Sequence, residues 1–232
     1  MTNISIMDNK DYTNIILEIF QEICKIPHPS GQEEAIGDYL IAFAKAHGLK
    51  AKKDNVGNIL ICKAAAKGCE KSPTVILQAH QDMVCEKDAA LIHDFMKQPI
   101  QTYIEDGWLK AKGTTLGADD GIGMAMMLAV LADSTLKHGP IEALFTVSEE
   151  TGLTGASNLG DDMINGKMLI NLDSEDEGEI FIGCAGGIKS EIEFHYNAES
   201  IPENSFFLKL SVDRLHGGHS GDDIDKGYAN AN

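Results

Sequence analysis

The chain has 232 residues, 43% of them hydrophobic, enough for one large domain or two small ones around a real core. Its 19 Lys plus Arg against 36 Asp plus Glu leave a net charge of -17, which repels a phosphate backbone, and no basic patch with interleaved aromatics offsets it, so nucleic acid is not an expected partner. The longest apolar stretch, GMAMMLAVLA, falls short of a membrane span of roughly 20 residues, and MTNISIMDNK lacks a charged-then-apolar signal pattern, so the expectation is no membrane association and a cytoplasmic location.

In chain order, Ile15, Ile16, Ile19, Phe20 and Ile23 recur at helical spacing, and PHPSG breaks that helix. SGQEEAIGDYLIAFAKAHG reads as a second helix, with Ser30 as cap, Glu33 completing a capping box and Gly48 as the stop. KAKKDNVGNILICKAA is expected to form two short strands about a turn at DNVGN, and SPTVILQAHQDM a buried strand whose apolar run ends at Ala79. A glycine-rich turn carrying Asp119 and Asp120 precedes a helix from about Gly121 to Ala132 that is too hydrophobic all round to be exposed. PIEALFTVSEE then reads as a strand ending in Glu149 and Glu150, GLTGASNL as a loop and helix start, and GKMLINLDSED as a strand ending in Asp173.

This alternation predicts an α/β fold, a mostly parallel sheet with helices flanking both faces. After FIGCAGG the pattern changes to KSEIEFHY and SFFLKLSVD, whose alternating polarity suggests half-exposed strands of a second domain. The expected division is 1–186 for the first domain and 187–232 for the beginning of the second. Five cysteines at irregular spacing, Cys24, Cys62, Cys69, Cys85 and Cys184, speak against a disulfide framework or a thiolate zinc site. Cys85 lies near His80 in sequence, but ordinary packing is the better reading of it than a nucleophile.

Ligands of open parallel sheets bind outside the carboxyl ends of the strands, so the residues at those ends should meet in one crevice. Here they are His80, Asp82, Glu149, Glu150 and Asp173, joined by Asp119 and Asp120. So much negative charge in one place calls for cations. Imidazole with carboxylates suits Zn2+, with Mn2+ or Co2+ as substitutes, and the surplus of carboxylates over one tetrahedral shell argues for two ions with one carboxylate between them. Two ions roughly 3.5 to 4 Å apart can activate a water and polarise a carbonyl, which makes amide or ester hydrolysis the natural reaction. Neighbours on a strand face opposite ways, so Glu149 and Glu150 are not expected to play the same part, and one can bind metal while the other takes the water proton. Asp82, two residues after His80, can accept the other imidazole N–H. Singly, HQD, SEE and DSEDEGE are each weak signals that describe ordinary acidic loops; their joint position carries the inference.

At IFQEICKIPHPSGQEEAIGDYL, ILQAHQDMVCEK, GTTLGADDGIGMAMMLAVL, LFTVSEETGLTGA, LINLDSEDEGEIFIGCAGG and LHGGHSGDDI the sequence resembles the carnosinase-related two-zinc exopeptidases of the aminoacyl-histidine dipeptidase type. The resemblance implies that His80 and Asp173 hold one metal, Glu150 the other, and Asp119 bridges them. It implies further that Asp82 orients His80, that Glu149 is the general base, and that the Asp119–Asp120 peptide is cis. His219, in GGHSG, matches the lid histidine that stabilises the transition state. The implied substrate is a dipeptide, often Xaa-His, and the implied fold is a zinc domain interrupted by an α+β lid that mediates homodimerisation.

One departure is that the family takes a last metal ligand from a histidine beyond the lid, whereas this sequence stops at KGYANAN. A fragment, weakly active or inactive alone, or a partner for a complementary C-terminal chain, is therefore expected. An N-acyl amino acid deacylase of the same chemistry and a non-catalytic truncated remnant are the alternatives.

Overall fold

A computed structural model describes residues 11–174, 178–184, 191–211, 216 and 226–228. The chain divides into two units, Met1–Glu175 and Asp176–Asn232.

The first unit opens with helix α1, Tyr12–Ile23, whose Asp11 side chain accepts a hydrogen bond from the Asn14 amide at 3.3 Å and so caps one free N–H. Helix α2 runs Glu34–Ala46 and buries Ile36, Gly37, Leu40 and Ala44. Strands β1, Lys50–Lys53, and β2, Ile59–Lys63, pair antiparallel across the expected turn. Strand β3 is Val75–His80. Strands β4, Thr102–Glu105, and β5, Trp108–Ala111, form a separate hairpin. Its turn has Asp106 at φ 53° and Gly107 at φ 81°, the Asp-Gly signature of a tight hairpin, which was legible in IEDGWLKA and missed.

Helix α3 spans Ala118–Ala132, but Asp119 and Asp120 have non-helical backbone angles, so regular helix begins at Gly121 as expected. Strand β6, Ile141–Thr146, is buried at every residue; short helix α4, Thr154–Ser157, and strand β7, Met168–Asn171, follow.

The main sheet has the order β1-β2-β6-β3-β7. Strands β3, β6 and β7 are parallel, while β2 runs antiparallel to both β1 and β6, so the sheet is mixed with a parallel half. The two faces of the sheet are covered by different segments. Residues of α1, α2 and α3 pack in one cluster with Ile59, Ile61, Ala79, Ala143 and Phe145. The alternate residues Leu60, Ile76 and Leu144 pack instead on Met163, with Leu159 and Ile164, so the opposite face is covered by the segment after α4. An all-round apolar α3 fits this arrangement, because it lies between α1 and the sheet.

In the second unit the described residues 191–211 contain no strand, contrary to the expectation for KSEIEFHY and SFFLKLSVD. Their large side chains are exposed, Phe194, Phe206, Phe207 and Leu208 among them. Alternating polarity specifies a strand only where a sheet face is present to bury every second side chain.

Candidate metal centre

The register of the parallel half decides where the site lies. His80 is level with Thr146 across the β3–β6 pair, and Gln78 is level with Asn171 across β3–β7. Three strands thus end together, and the residues just beyond each end meet.

His80 is fully buried. Its Nε2 lies 3.0 Å from Asp119 Oδ1 and 3.9 Å from Asp173 Oδ2. Its Nδ1 donates to the Asp82 backbone carbonyl at 2.9 Å, with Asp82 Oδ1 farther away at 3.4 Å. Two groups of donor atoms, each lying within 4.8 Å of one another, share this imidazole: His80, Asp119 and Asp173, and His80, Glu149 and Glu150. All four expected metal-ligating residues therefore come to one place, together with Glu149. His219 lies outside the described residues. The Asp119–Asp120 peptide is cis, as expected.

Two of the gathered acids spend their carboxylates on other parts of the protein. Asp120 is buried and faces the backbone, accepting from the His80 amide at 3.2 Å and the Gly123 amide at 3.1 Å. It secures the end of β3 to the start of α3. The Asp82 carboxylate, also buried, accepts from the Ser30 hydroxyl at 2.7 Å, the Glu149 amide at 2.9 Å and the Glu150 amide at 3.2 Å. Asp82 meets the imidazole chiefly through its carbonyl, and its carboxylate ties the β3 end to the turn after β6.

That turn overrides the argument from strand alternation. β6 stops at Thr146, and Ser148 adopts φ 50°, so Glu149 and Glu150 are not successive strand residues. Both carboxylates reach the His80 neighbourhood because the chain folds back, closed by Thr154 N donating to Ser148 O at 3.1 Å.

The electrostatics are those of a site that attracts cations. Burial opposes charging His80, yet its contacts with Asp119 and Asp82 hold its pKa up at about 11. Asp119 is lowered, foremost by the His80 hydrogen bond. Burial would raise Asp82, but the imidazole, the Glu149 amide and the Ser30 hydroxyl bring it to about 2. Burial, reinforced by neighbouring acids, pushes Asp173 up to about 6 and Asp120 up to about 7, and raises Glu150. One buried imidazole beside several acids of raised pKa is a donor set in which divalent metal can replace protons, and it fits Zn2+ or Mn2+. Cys85 is no rival nucleophile: its thiol donates to Met83 O at 3.6 Å, and burial raises its pKa.

In the chelator-treated protein the folded state binds the His80 proton more tightly than the unfolded chain does. Stability from this group is complete below the ordinary pKa of about 6.5 and is lost as pH rises towards about 11. We expect the unfolding free energy from urea titration to fall between pH 7 and 10, by at most about 1.4 kcal/mol per pH unit from one proton. His80→Gln should lessen that slope, and equal slopes in the two proteins would refute the expectation.

Residues 76–220 match the model of peptidase family M20/M25/M40. The chain belongs to this family. Among its relatives, the cytosol non-specific dipeptidase of Escherichia coli (strain K12) is 51% identical over 215 residues, which cover 93% of this chain and 44% of that protein. The aminoacylhistidine dipeptidase of Vibrio alginolyticus superposes with a TM-score of 0.69 at 47% identity, covering 73% of this chain and 36% of that one. A tripeptidase of Staphylococcus aureus superposes with a TM-score of 0.60 at 26% identity, covering 70% and 44%. This M20/M25/M40 chain thus spans less than half the length of each of these relatives. Among the described residues, no helix is long and apolar enough to cross a membrane.

Sequence reasoning missed three contributors to the site: Ser30, Glu33 and Asn58. Asn58 is fully buried, accepts from the Val147 amide at 3.1 Å and donates to Gly155 O at 2.9 Å, gripping both ends of the turn that carries Glu149 and Glu150. Nothing local in DNVGN signals this, because its partners lie 89 and 97 residues away.

Proposed function

We propose that this chain forms the metal-binding part of a cytoplasmic dipeptidase that hydrolyses its substrate with a metal-activated water. Xaa-His dipeptides are among the favoured substrates. The observation that carries the reading is the convergence of Asp119, Asp173, Glu149 and Glu150 on the buried imidazole of His80. The Escherichia coli and Vibrio alginolyticus relatives are both named as dipeptidases, which supports the reading.

Two divalent ions, Zn2+ foremost, would supply a Lewis acid for the scissile carbonyl and an acidified water. His80 and Asp173 would hold one ion and Glu150 the other, with Asp119 serving both. Asp82 fixes the direction of His80 through its carbonyl and the direction of Glu149 and Glu150 through its carboxylate. Glu149 takes the proton of the attacking water and returns it to the leaving amine. His219 stabilises the developing oxyanion. Residues 1–186 form the catalytic domain, and 187–232 begin a lid through which the full-length protein dimerises. The second ion would need a ligand besides Glu150 and Asp119, which a complementary C-terminal chain would supply.

Metal analysis and calorimetry on the 232-residue chain should find one ion bound tightly and lost in His80→Ala, with a second bound weakly. Any turnover with added Zn2+ or Mn2+ should favour a Xaa-His dipeptide over an N-acetyl amino acid. Failure to bind any divalent ion would overturn the metal reading, and faster cleavage of the N-acetyl amino acid would make the protein a deacylase.

A further inference from the structure

The segment PHPSGQEE between α1 and α2 looks in sequence like a helix cap, and the structure puts its side chains to another use. Glu33 is the residue before α2, but the helix has no side-chain cap. Instead Glu33 Oε1 accepts three hydrogen bonds: from the Gly31 amide at 2.9 Å, the Ser148 amide at 3.0 Å and the Ser148 hydroxyl at 2.8 Å. Ser30 likewise gives up its capping role and donates to Asp82. The helix therefore forgoes a cap worth about 1 kcal/mol on a typical scale, and both polar side chains face the metal centre's supports.

Ser148 is where this matters. It is a non-glycine residue at φ 50°, a conformation that side chains other than those of Asn and Asp seldom adopt without surrounding constraint. Both of its local donors, the amide and the hydroxyl, end on the one oxygen of Glu33. The left-handed turn at Ser148 in turn directs the next two amides, Glu149 and Glu150, onto the Asp82 carboxylate. Across 115 residues of sequence, one carboxylate holds the turn from which the two functional glutamates project.

We propose that Glu33 is a positioning residue: by holding Ser148 it sets where the Glu149 and Glu150 carboxylates stand relative to His80. The inference rests on the dipeptidase reading for its functional meaning, while the positioning is readable without metal or activity. Ser30 assists from the other side, because its hydroxyl shares Asp82 with the two amides.

The test is amide hydrogen exchange on the chelator-treated chain, with Mn2+ titration in parallel, for wild type, Glu33→Ala and Glu33→Gln. Glu33→Ala should speed exchange of the Glu149 and Glu150 amides by about 10-fold or more without changing the protection of β3 and β6. It should also weaken Mn2+ binding about 10-fold, within the range for supports of metal ligands. Glu33→Gln keeps an acceptor oxygen and should restore both readouts towards wild type. Unchanged exchange at the two amides in Glu33→Ala overturns the proposal, as does acceleration spread evenly over the sheet, which would mark a merely structural residue. A wild-type chain that takes up no Mn2+ while the exchange result holds would sink the dipeptidase reading and leave the positioning role standing.

Discussion

Asp119→Ala is expected to cost the protein both ions in one step. The Asp119 carboxylate accepts from His80 Nε2 at 3.0 Å and belongs to the donor group containing Asp173. Its side chain is 52% exposed while the imidazole beside it is 1% exposed, so it stands where the buried ligands give way to the open side of the site. Without the proposed bridge, one ion keeps His80 and Asp173 and the other keeps Glu150, fewer than the three protein ligands of an ordinary catalytic site. Apparent affinity for each should fall by at least about 100-fold, beyond what loss of a supporting hydrogen bond costs. Calorimetric titration of wild type and variant measures it, and an unchanged affinity for either ion would refute the bridge.

Glu149→Ala is expected to separate chemistry from metal binding. Glu149 stands with Glu150 and His80 in one donor group, so geometry alone lets it ligate or act as base. The role proposed here is the base, whose loss should lower hydrolysis of a Xaa-His dipeptide by about 10²- to 10⁴-fold while the ions stay bound. Glu150→Ala should instead lose the second ion. Equal loss of metal in the two variants would sink the division of labour. The Glu149 amide, which donates to Asp82, is untouched by the substitution, so the turn itself should persist.

The elements that bear the site were readable because each announces itself locally. An apolar run ending at Ala79 places His80 at a strand end, and α3, β6 and β7 followed from equally local patterns. His80, Asp119, Glu149, Glu150 and Asp173 could be collected from the rule that parallel strands present ligands at their carboxyl ends. The same rule overreached at Asp120, whose carboxylate holds the His80 and Gly123 amides, and strand alternation failed at Glu149 and Glu150 because the strand had already ended.

Residue type, and the order of the helices and of the strands of the main sheet, were determined by the sequence on its own, since periodicity and turn chemistry are properties of a few neighbouring residues. Only the tertiary structure decided which carboxylates face the imidazole and which face the backbone. Ser30 finds Asp82 over 52 residues and Glu33 finds Ser148 over 115, and both pairings depend on how the loop between α1 and α2 meets the carboxyl ends of β3 and β6. A capping box and a brace on a metal site draw on the same hydroxyl and carboxylate. The helix end offers only its own amides, whereas the folded site offers a buried carboxylate and a left-handed turn, and the side chains satisfy those.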